Sequence, residues 1–330
     1  MVNKKWAAMT VTLLIFGWAA VFKGGMADYI QELKNSRTNE TAFISTAARD
    51  GSNELDSLYE QISREAVKRN VAPVNAVVDR VWKAIPGYNG LEVDVEETYR
   101  LAKASPQAPI RFQYHEVEPE VKLHDLGVHP VYKGNPNKAM VSFMINVAWG
   151  NEFLEPILRT LKDEKVKATF FLDGSWLKKN ADLARHIQSE GHELSNHAYS
   201  HPDMSRLGRD AAYQQIAKTE ALLKSELNVK NKWFAPPSGD YNQTTVQVAA
   251  EQGLRTVLWT LDTIDWKKPP AYAIIQKIRL RIEPGTLILM HPTASSSEAL
   301  PGMIREIRKK GLNIGTVSET LSEKRVPEVE

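Results

Sequence analysis

The chain has 330 residues, of which 42% are hydrophobic and 25% charged, an ordinary globular composition for one large domain with an accessory piece. Its 42 basic and 40 acidic residues are interspersed and leave a net charge of +2, so no basic face indicates nucleic-acid binding. The absence of cysteine excludes disulfides, thiolate nucleophiles and cysteine-ligated zinc sites.

The N-terminal segment is apolar and predicts contact with lipid. Two lysines precede an apolar run over residues 6–22, which is short for a membrane span and long for a signal-peptide core. The run ends in bulky residues, whereas signal cleavage needs small ones, so residues 1–25 are expected to form an uncleaved single-pass anchor. The basic flank then places the main domain outside the cytoplasm. The alternatives are secretion after signal cleavage and a buried core helix.

Two further segments precede the main pattern. Residues 26–53 are polar and of mixed charge, which predicts a tether. Residues 54–136 contain two helical patterns, over 55–66 and 74–85, followed by strand-like stretches and a third helix around 97–104. These residues predict a small α+β module without a chemical motif.

From residue 137 onward, short apolar runs alternate with amphipathic helical patterns. The strand-like runs are 140–147, 168–172, 232–235, 255–260, 286–290 and 312–317, with another just before residue 197. Repeated βα units imply a parallel sheet with right-handed crossovers, and about seven of them can close a barrel. The sequence therefore predicts an α/β domain over 137–323 and a tail over 324–330.

Polar stretches follow these strands, and one of them contains His197 and His201. Two histidines four residues apart can point the same way and share one divalent metal ion. Such a pair is also common on helix surfaces and in hydrogen-bonded cores. In a barrel, however, function collects at the C-terminal ends of strands, which favours a binding site here.

The order and spacing of these stretches resemble one known family. The matching runs are Ala168 to Leu172, Gly191 to Pro202, Pro236 to Gly239, Asp262 to Trp266 and Leu289 to Pro292. Together they resemble the polysaccharide deacetylase (NodB homology) family, also called carbohydrate esterase family 4, and within it the sporulation-associated deacetylase-like proteins of endospore formers. The resemblance implies a distorted (β/α) barrel of the NodB type that removes acetyl groups from N-acetylated sugars.

The resemblance also implies roles for individual residues. His197 and His201 match the two histidine ligands of a divalent metal, commonly zinc. His291 matches the histidine that protonates the leaving amine, and Asp265 matches the carboxylate that orients it. A buried ion pair without a catalytic role is the alternative for Asp265.

Substrate contacts follow in the same way. Trp266 matches an aromatic wall of the substrate groove, for which a core aromatic is the alternative. Pro237, Ser238 and Gly239 match the loop whose backbone N–H would hold the oxyanion.

Two features depart from the family pattern. The first strand should end in two aspartates, a general base and a metal ligand, but Asn146 and Val147 stand there. An amide does not accept a proton near neutral pH, and valine cannot ligate a metal. The arginine that pairs with the base is replaced by Ala235. An arginine beside a neutral amide would be an unpaired charge in a confined cleft, so the joint loss makes physical sense.

Three functions stay open at this point, and with them the question whether the chain is an enzyme. The first is metal-dependent hydrolysis of the N-acetyl C–N bond of peptidoglycan-type glycan with a relocated base, for which Asp173, Asp240 and Glu152 are candidates. The second is an impaired relative that still binds cell-wall glycan. The third is a scaffold at the envelope. The expected partners are the membrane and cell-wall glycan, and nucleic acid is not expected. A role in sporulation is implied by the resemblance alone.

Overall fold

The computed structural model describes residues 48–326, with side chains from residue 57 onward. The chain divides into two units at the boundary between Gln61 and Ile62. The predicted anchor over 1–25 and most of the predicted tether over 26–53 lie outside the described residues. Within the described part of the chain, none of the helices combines the length and hydropathy needed to cross a bilayer.

The first described elements are helix α1 (Ala48–Arg69), two small antiparallel sheets and a helix between the strands of the second sheet. One sheet pairs β1 (Val77–Asp79) with β2 (Lys83–Ile85), and the other pairs β3 (Gly90–Val93) with β4 (Tyr114–Val117). Helix α2 (Val95–Ala104) confirms the expected third helix, and the Asp94 carboxylate caps it by accepting from Glu97 N.

The helix predicted over 74–85 is wrong, because this stretch folds into the β1–β2 hairpin. The Asp79 carboxylate accepts hydrogen bonds from the backbone N–H groups of Val81 and Trp82, both at 2.7 Å, and so closes a tight turn. Val77 is 50% exposed and Val81 60% exposed, so the apolar spacing does not mark the buried face of a helix.

The main sheet is entirely parallel. The remaining elements are β5 (Met140–Val147), α3 (Asn151–Asp163), β6 (Thr169–Leu172), α4 (Gly174–Lys179), α5 (Ala181–Ser189), β7 (Glu193–Asn196), α6 (Arg209–Leu227), β8 (Trp233–Phe234), α7 (Gln243–Glu251), β9 (Arg255–Thr256), β10 (Leu261–Asp262), α8 (Ala271–Arg281), β11 (Leu287–Met290), α9 (Ala294–Lys309), β12 (Asn313–Gly315) and α10 (Val317–Leu321). The sheet order is β10-β11-β5-β6-β7-β8-β9, and β12 pairs with the start of β5. The sheet curls into a half barrel, which confirms the predicted α/β class with parallel βα units.

Strand β5 runs through the centre of the sheet, and all eight of its residues are buried. Its alternate residues face opposite sides, as the two-residue period of a strand requires. Phe143, Ile145 and Val147 belong to the apolar layer between sheet and helices, whereas Met144 belongs to the core inside the curl. Asn146 is two residues beyond Met144 and therefore faces the mouth of the curled sheet.

The open side of the half barrel is filled by residues that precede β5. Val131 bridges to Val257 in the parallel sense, and the Ala84 N–H donates to Pro130 O at 3.1 Å. Val131 and Ala84 are fully buried in the core inside the curl. The residues before β5 thus complete the hydrophobic interior of the sheet domain.

Candidate functional site

The C-terminal ends of the parallel strands surround a cavity of about 380 Å³. Its lining residues are Asn146, Ala148, Trp149, His197, His201, Ser238, Trp259, Asp262, Trp266, Leu289 and His291. The ends of six strands, or the loops that follow them, contribute to this cleft, as expected for a parallel α/β domain. Of the residues predicted from sequence, the structure brings six together here, whereas Asp265, Pro237 and Gly239 stand behind the lining.

The two histidines that opened the sequence argument are neighbours in the cleft. Their ring centroids are 5.2 Å apart and the rings are nearly perpendicular, at 73°. His197 is buried, and its Nδ1 donates to the Ala235 carbonyl oxygen at 2.8 Å. Burial lowers the pKa of His197 to about 3, with the charges of His201 and His291 adding to the effect. His197 is therefore a neutral imidazole whose Nε2 carries the free lone pair.

The described donors do not fit a catalytic zinc centre. Catalytic zinc sites use three protein ligands, and His197 and His201 supply two. Val147, at the position where a third ligand would stand, packs in the apolar layer between sheet and helices and does not line the cleft. Among the described residues there is no group of three or more His, Cys, Asp or Glu side chains placed to hold a metal ion.

On the opposite wall, His291 is held by a buried carboxylate. Asp265 is fully buried, its Oδ1 accepts from His291 Nδ1 at 2.8 Å, and its Oδ2 accepts from the His291 backbone N–H at 2.6 Å. The hydrogen bond from Nδ1 fixes the ring orientation and leaves Nε2 free, and the bond from the backbone N–H holds the main chain of His291 against the same carboxylate. This is the geometry required of a general acid that delivers a proton from Nε2.

Asn146 lines the cleft and is 3% exposed. Its buried Oδ1 has no hydrogen-bond partner among the described residues. Ala235 is fully buried in the core inside the curl and offers no polar side-chain atom. This side of the cleft therefore carries neither a proton acceptor nor a cation.

The loop after β8 forms one edge of the cleft. Pro237 has no N–H, and the Gly239 N–H donates to Pro236 O at 3.0 Å. Of the three loop residues named from the sequence, Ser238 is thus the candidate backbone donor to a ligand. Its backbone is left-handed, with φ 57°, as is that of His201, with φ 54°. Strained backbone at residues that line one cleft supports a functional site.

Comparisons with known proteins match this geometry. Residues 133–257 match the family model for polysaccharide deacetylases. The chain is 41% identical over 326 residues to the uncharacterized protein YlxY of Bacillus subtilis, covering 98% of this chain and 99% of that protein. The chain belongs to the polysaccharide deacetylase family.

Solved structures and an enzyme relative extend the match within the family. A carbohydrate esterase family 4 pseudoenzyme from Bacillus anthracis is 44% identical with a TM-score of 0.77, covering 82% of this chain and 96% of that one. A mutant of that pseudoenzyme, described as having restored enzymatic activity, matches with 43% identity and the same TM-score. The peptidoglycan-N-acetylglucosamine deacetylase of Bacillus cereus is 35% identical over 191 residues, covering 56% of this chain and 70% of that enzyme.

The cleft of this family member has aromatic walls, of which sequence reasoning found one. Trp266 is 53% exposed, and the Lys267 ammonium lies 4.9 Å from its ring centroid. Trp149 stacks on His291 with 6.0 Å between centroids and 8° between planes, and Trp259 also lines the cleft. The position of Trp149 in the loop after the first strand is the signal that could have found it. Trp259 lies inside the run 255–260 that is predicted as a strand, and nothing in that run marks it as a cleft residue.

None of the three acidic residues proposed as a relocated base lines the cleft. Asp173 is buried and caps α4 through Trp176 N at 2.9 Å, while both carboxylate oxygens of Asp240 accept from Ser205. Glu152 is exposed on α3. The acidic residue that does line the cleft is Asp262, and its Oδ1 accepts from Ile264 N at 2.7 Å.

Proposed function

We propose that this protein is a catalytically impaired polysaccharide deacetylase that binds N-acetylated cell-wall glycan of the peptidoglycan type. The observation that carries this proposal is the buried amide of Asn146 in the cleft, opposite an intact His291–Asp265 pair. Hydrolysis of an N-acetyl C–N bond needs a base to activate water and an acid to protonate the leaving amine. The chain keeps the acid and lacks the base.

The aromatic walls support glycan binding without turnover. Sugar rings have apolar faces that stack on exposed tryptophan rings, and small-ligand sites are typically apolar clefts with a few oriented polar groups. Trp266 and Trp149 offer such rings, and Ser238 offers a backbone donor in the same cleft. The pseudoenzyme from Bacillus anthracis and the enzyme from Bacillus cereus support the two parts of the proposal, impaired catalysis and a peptidoglycan-type ligand.

Acetate release tests the catalytic part directly. Full-length protein and its His291→Ala variant are incubated with peptidoglycan and with N-acetylated chito-oligosaccharides, and released acetate is measured. We expect equal background rates for the two proteins. A wild-type rate well above that of His291→Ala would show a working deacetylase and overturn the proposal.

Binding of the disaccharide of N-acetylglucosamine tests the other part. We expect Trp266→Ala to weaken binding about tenfold, because it removes one stacking face. Tyr272→Ala removes an aromatic ring that is 71% exposed on α8, away from the cleft lining, and should leave the affinity unchanged. Equal affinities for wild type and Trp266→Ala would leave a scaffold role as the better account.

Metal content separates the impaired relative from a metal-dependent enzyme. Deacetylases of this family are generally metal-dependent, zinc being the expected ion, but the two imidazoles here fall short of three ligands. We expect less than stoichiometric zinc in the purified protein, and little change in His197→Ala. Stoichiometric zinc that is lost in His197→Ala would restore the metal-dependent reading.

The location of the protein follows from the apolar run over residues 6–22. We propose a single-pass anchor with the glycan-binding domain outside the cytoplasm, where peptidoglycan lies, and a place in sporulation consistent with the family resemblance. Protease added to intact cells should degrade the domain while the protein stays in the membrane fraction. Recovery of the domain in the culture medium would instead indicate signal cleavage.

A further inference from the structure

A row of aromatic side chains leads from the cleft to the hairpin that precedes the sheet domain. Trp259 lines the cleft, and the backbone of the loop after β8 abuts its ring, because a Cβ built on Gly239 would lie 2.9 Å from Trp259 Cη2. Two residues after Gly239, the Tyr241 hydroxyl is 2.7 Å from the Tyr132 hydroxyl. The ring of Tyr132 in turn lies 6.3 Å from that of Trp82, between centroids.

The backbone holds this row in place. Val131 bridges to Val257 and accepts from Leu258 N at 2.8 Å, so Tyr132 runs alongside the segment that ends in Trp259. Trp82 sits in the tight turn that the Asp79 carboxylate closes. Strand pairing thus holds the backbone next to Tyr132, and the closed turn holds Trp82, which limits the entropy lost when a ligand binds.

The row has the chemistry of a sugar-binding surface. Trp82 is 39% exposed, and Tyr132 and Tyr241 are partly exposed. Burial and the hydrogen bond to Tyr241 raise the pKa of Tyr132 well above its ordinary value, so its hydroxyl stays a neutral donor and acceptor. The Lys133 ammonium lies 5.9 Å from the Trp82 ring centroid and adds a donor for sugar hydroxyls or carboxylates.

We propose that Trp82, Tyr132 and Tyr241 form an outer sugar-binding surface that continues the cleft and holds further sugars of the same glycan strand. The inference rests on the proposed glycan binding in the cleft and adds to it. It predicts that the protein prefers long oligosaccharides to short ones. It also gives the residues before β5 a role in ligand recognition besides their role in the core.

The test compares two ligand lengths in full-length protein. The disaccharide and the hexasaccharide of N-acetylglucosamine are titrated into wild type, Trp82→Ala and Tyr213→Ala. Tyr213 is a matched control, since it is also 39% exposed but lies on α6. We expect wild type to bind the hexasaccharide more tightly, and Trp82→Ala to lose about five- to tenfold of hexasaccharide affinity with disaccharide affinity unchanged.

The outcomes separate this inference from the function on which it rests. Equal hexasaccharide affinity in wild type and Trp82→Ala overturns the outer surface alone. If wild type binds neither ligand, the proposed glycan binding fails with it. If Trp82→Ala weakens the disaccharide equally, the substitution has disturbed the fold, and Trp82→Phe, which keeps a stacking ring in the turn, decides: full hexasaccharide affinity there supports the surface and a loss equal to that of Trp82→Ala contradicts it.

Discussion

The two walls of the cleft differ in how completely their polar groups are paired. On one wall, the Asp265 carboxylate accepts two hydrogen bonds from His291 and is fully buried. On the other, the Asn146 amide oxygen is buried without a partner and Ala235 is apolar. The fold thus has the complete His291–Asp265 pair on one wall, and neither a carboxylate nor a cation at positions 146 and 235.

This difference agrees with the proposed loss of catalysis in a fold that stays stable. A buried ion pair that loses one partner leaves an uncompensated charge, which costs about 3 to 5 kcal/mol. Replacement of both partners by neutral residues avoids that penalty. The observed combination of Asn146 with Ala235 is neutral and leaves no unpaired charge at these two positions.

The largest effect is expected when an Asp–Arg pair is introduced at positions 146 and 235. Asn146→Asp with Ala235→Arg supplies a proton acceptor and its cation, and should raise acetate release by about a hundred- to ten-thousandfold if the base is the missing element. The measurement is acetate released from N-acetylated chito-oligosaccharides. His291→Ala in the rebuilt background should abolish the gain. Continued inactivity of a folded double variant would show that more than this pair is missing, with Val147 the next position to examine.

Stability measures the coupling between the same two positions. Ala235→Arg alone places an unpaired charge in the core inside the curl and should cost about 3 to 5 kcal/mol in urea unfolding. Addition of Asn146→Asp should recover about 1 to 3 kcal/mol of that loss. Ala235→Met is the control for side-chain volume without charge. Strictly additive effects would mean that the two side chains do not meet.

His192, which immediately precedes β7, makes the stability of the fold depend on pH. Burial lowers its pKa to about 4, with Lys167 adding to the effect, and its Nδ1 accepts from Ala168 N. The unfolded chain takes up this proton below about pH 6.5, so the contribution of His192 to stability is complete above that pH and is lost as the pH falls towards 4.

We therefore expect the free energy of unfolding to fall by up to about 3 kcal/mol between pH 6.5 and 4 through this residue. His192→Asn keeps an acceptor for Ala168 N and should flatten the dependence. His186→Asn, at a histidine on the exposed side of α5, should not. An unchanged slope in His192→Asn would assign the acid sensitivity to other groups, His197 first among them.

The smallest effect is expected when one side chain of each wall is truncated to alanine and the free energies of unfolding are compared. Asp265→Ala leaves two His291 donors without their acceptors and should cost about 2 kcal/mol in thermal or urea unfolding. Asn146→Ala removes an amide whose oxygen has no partner and should change stability by less than about 1 kcal/mol. A larger loss at Asn146 would show that its amide is paired in solution and that the walls are more alike than their hydrogen bonds indicate.

The sequence patterns predicted the parallel sheet and the approximate place of the site, because both depend on the spacing of apolar residues and on the order of strands and helices along the chain. The buried run of β5 and the amphipathic helices define βα units, and the polar residues after each strand meet at one edge. The hairpin over residues 77–85 was misread because valines spaced three and four apart also suit exposed turns and short strands. The turn at Asp79 makes this stretch a hairpin and not a helix. It depends on hydrogen bonds from backbone N–H groups, which the pattern of apolar residues does not show.

The finer arrangement of the cleft depended on contacts that sequence does not express. That Asn146 faces the cleft and Val147 the helix layer follows from their alternation along β5, which could be read only once its inner and outer faces were known. The stacking of Trp149 on His291 joins segments far apart in the chain. Nor does the sequence show that Asp173 Oδ1 caps α4 or that both carboxylate oxygens of Asp240 accept from Ser205.

Val131 and Ala84 make the residues before β5 inseparable from the sheet domain. A fragment that began at residue 137 would leave the hollow of the curled sheet open to water and present its apolar lining to other molecules. Such a fragment should be recovered as aggregates, whereas a fragment that begins at residue 62 retains Ala84 and Val131, which fill the hollow. The hairpin and the segment up to β5 must therefore accompany the sheet whenever the cleft is produced as an isolated domain.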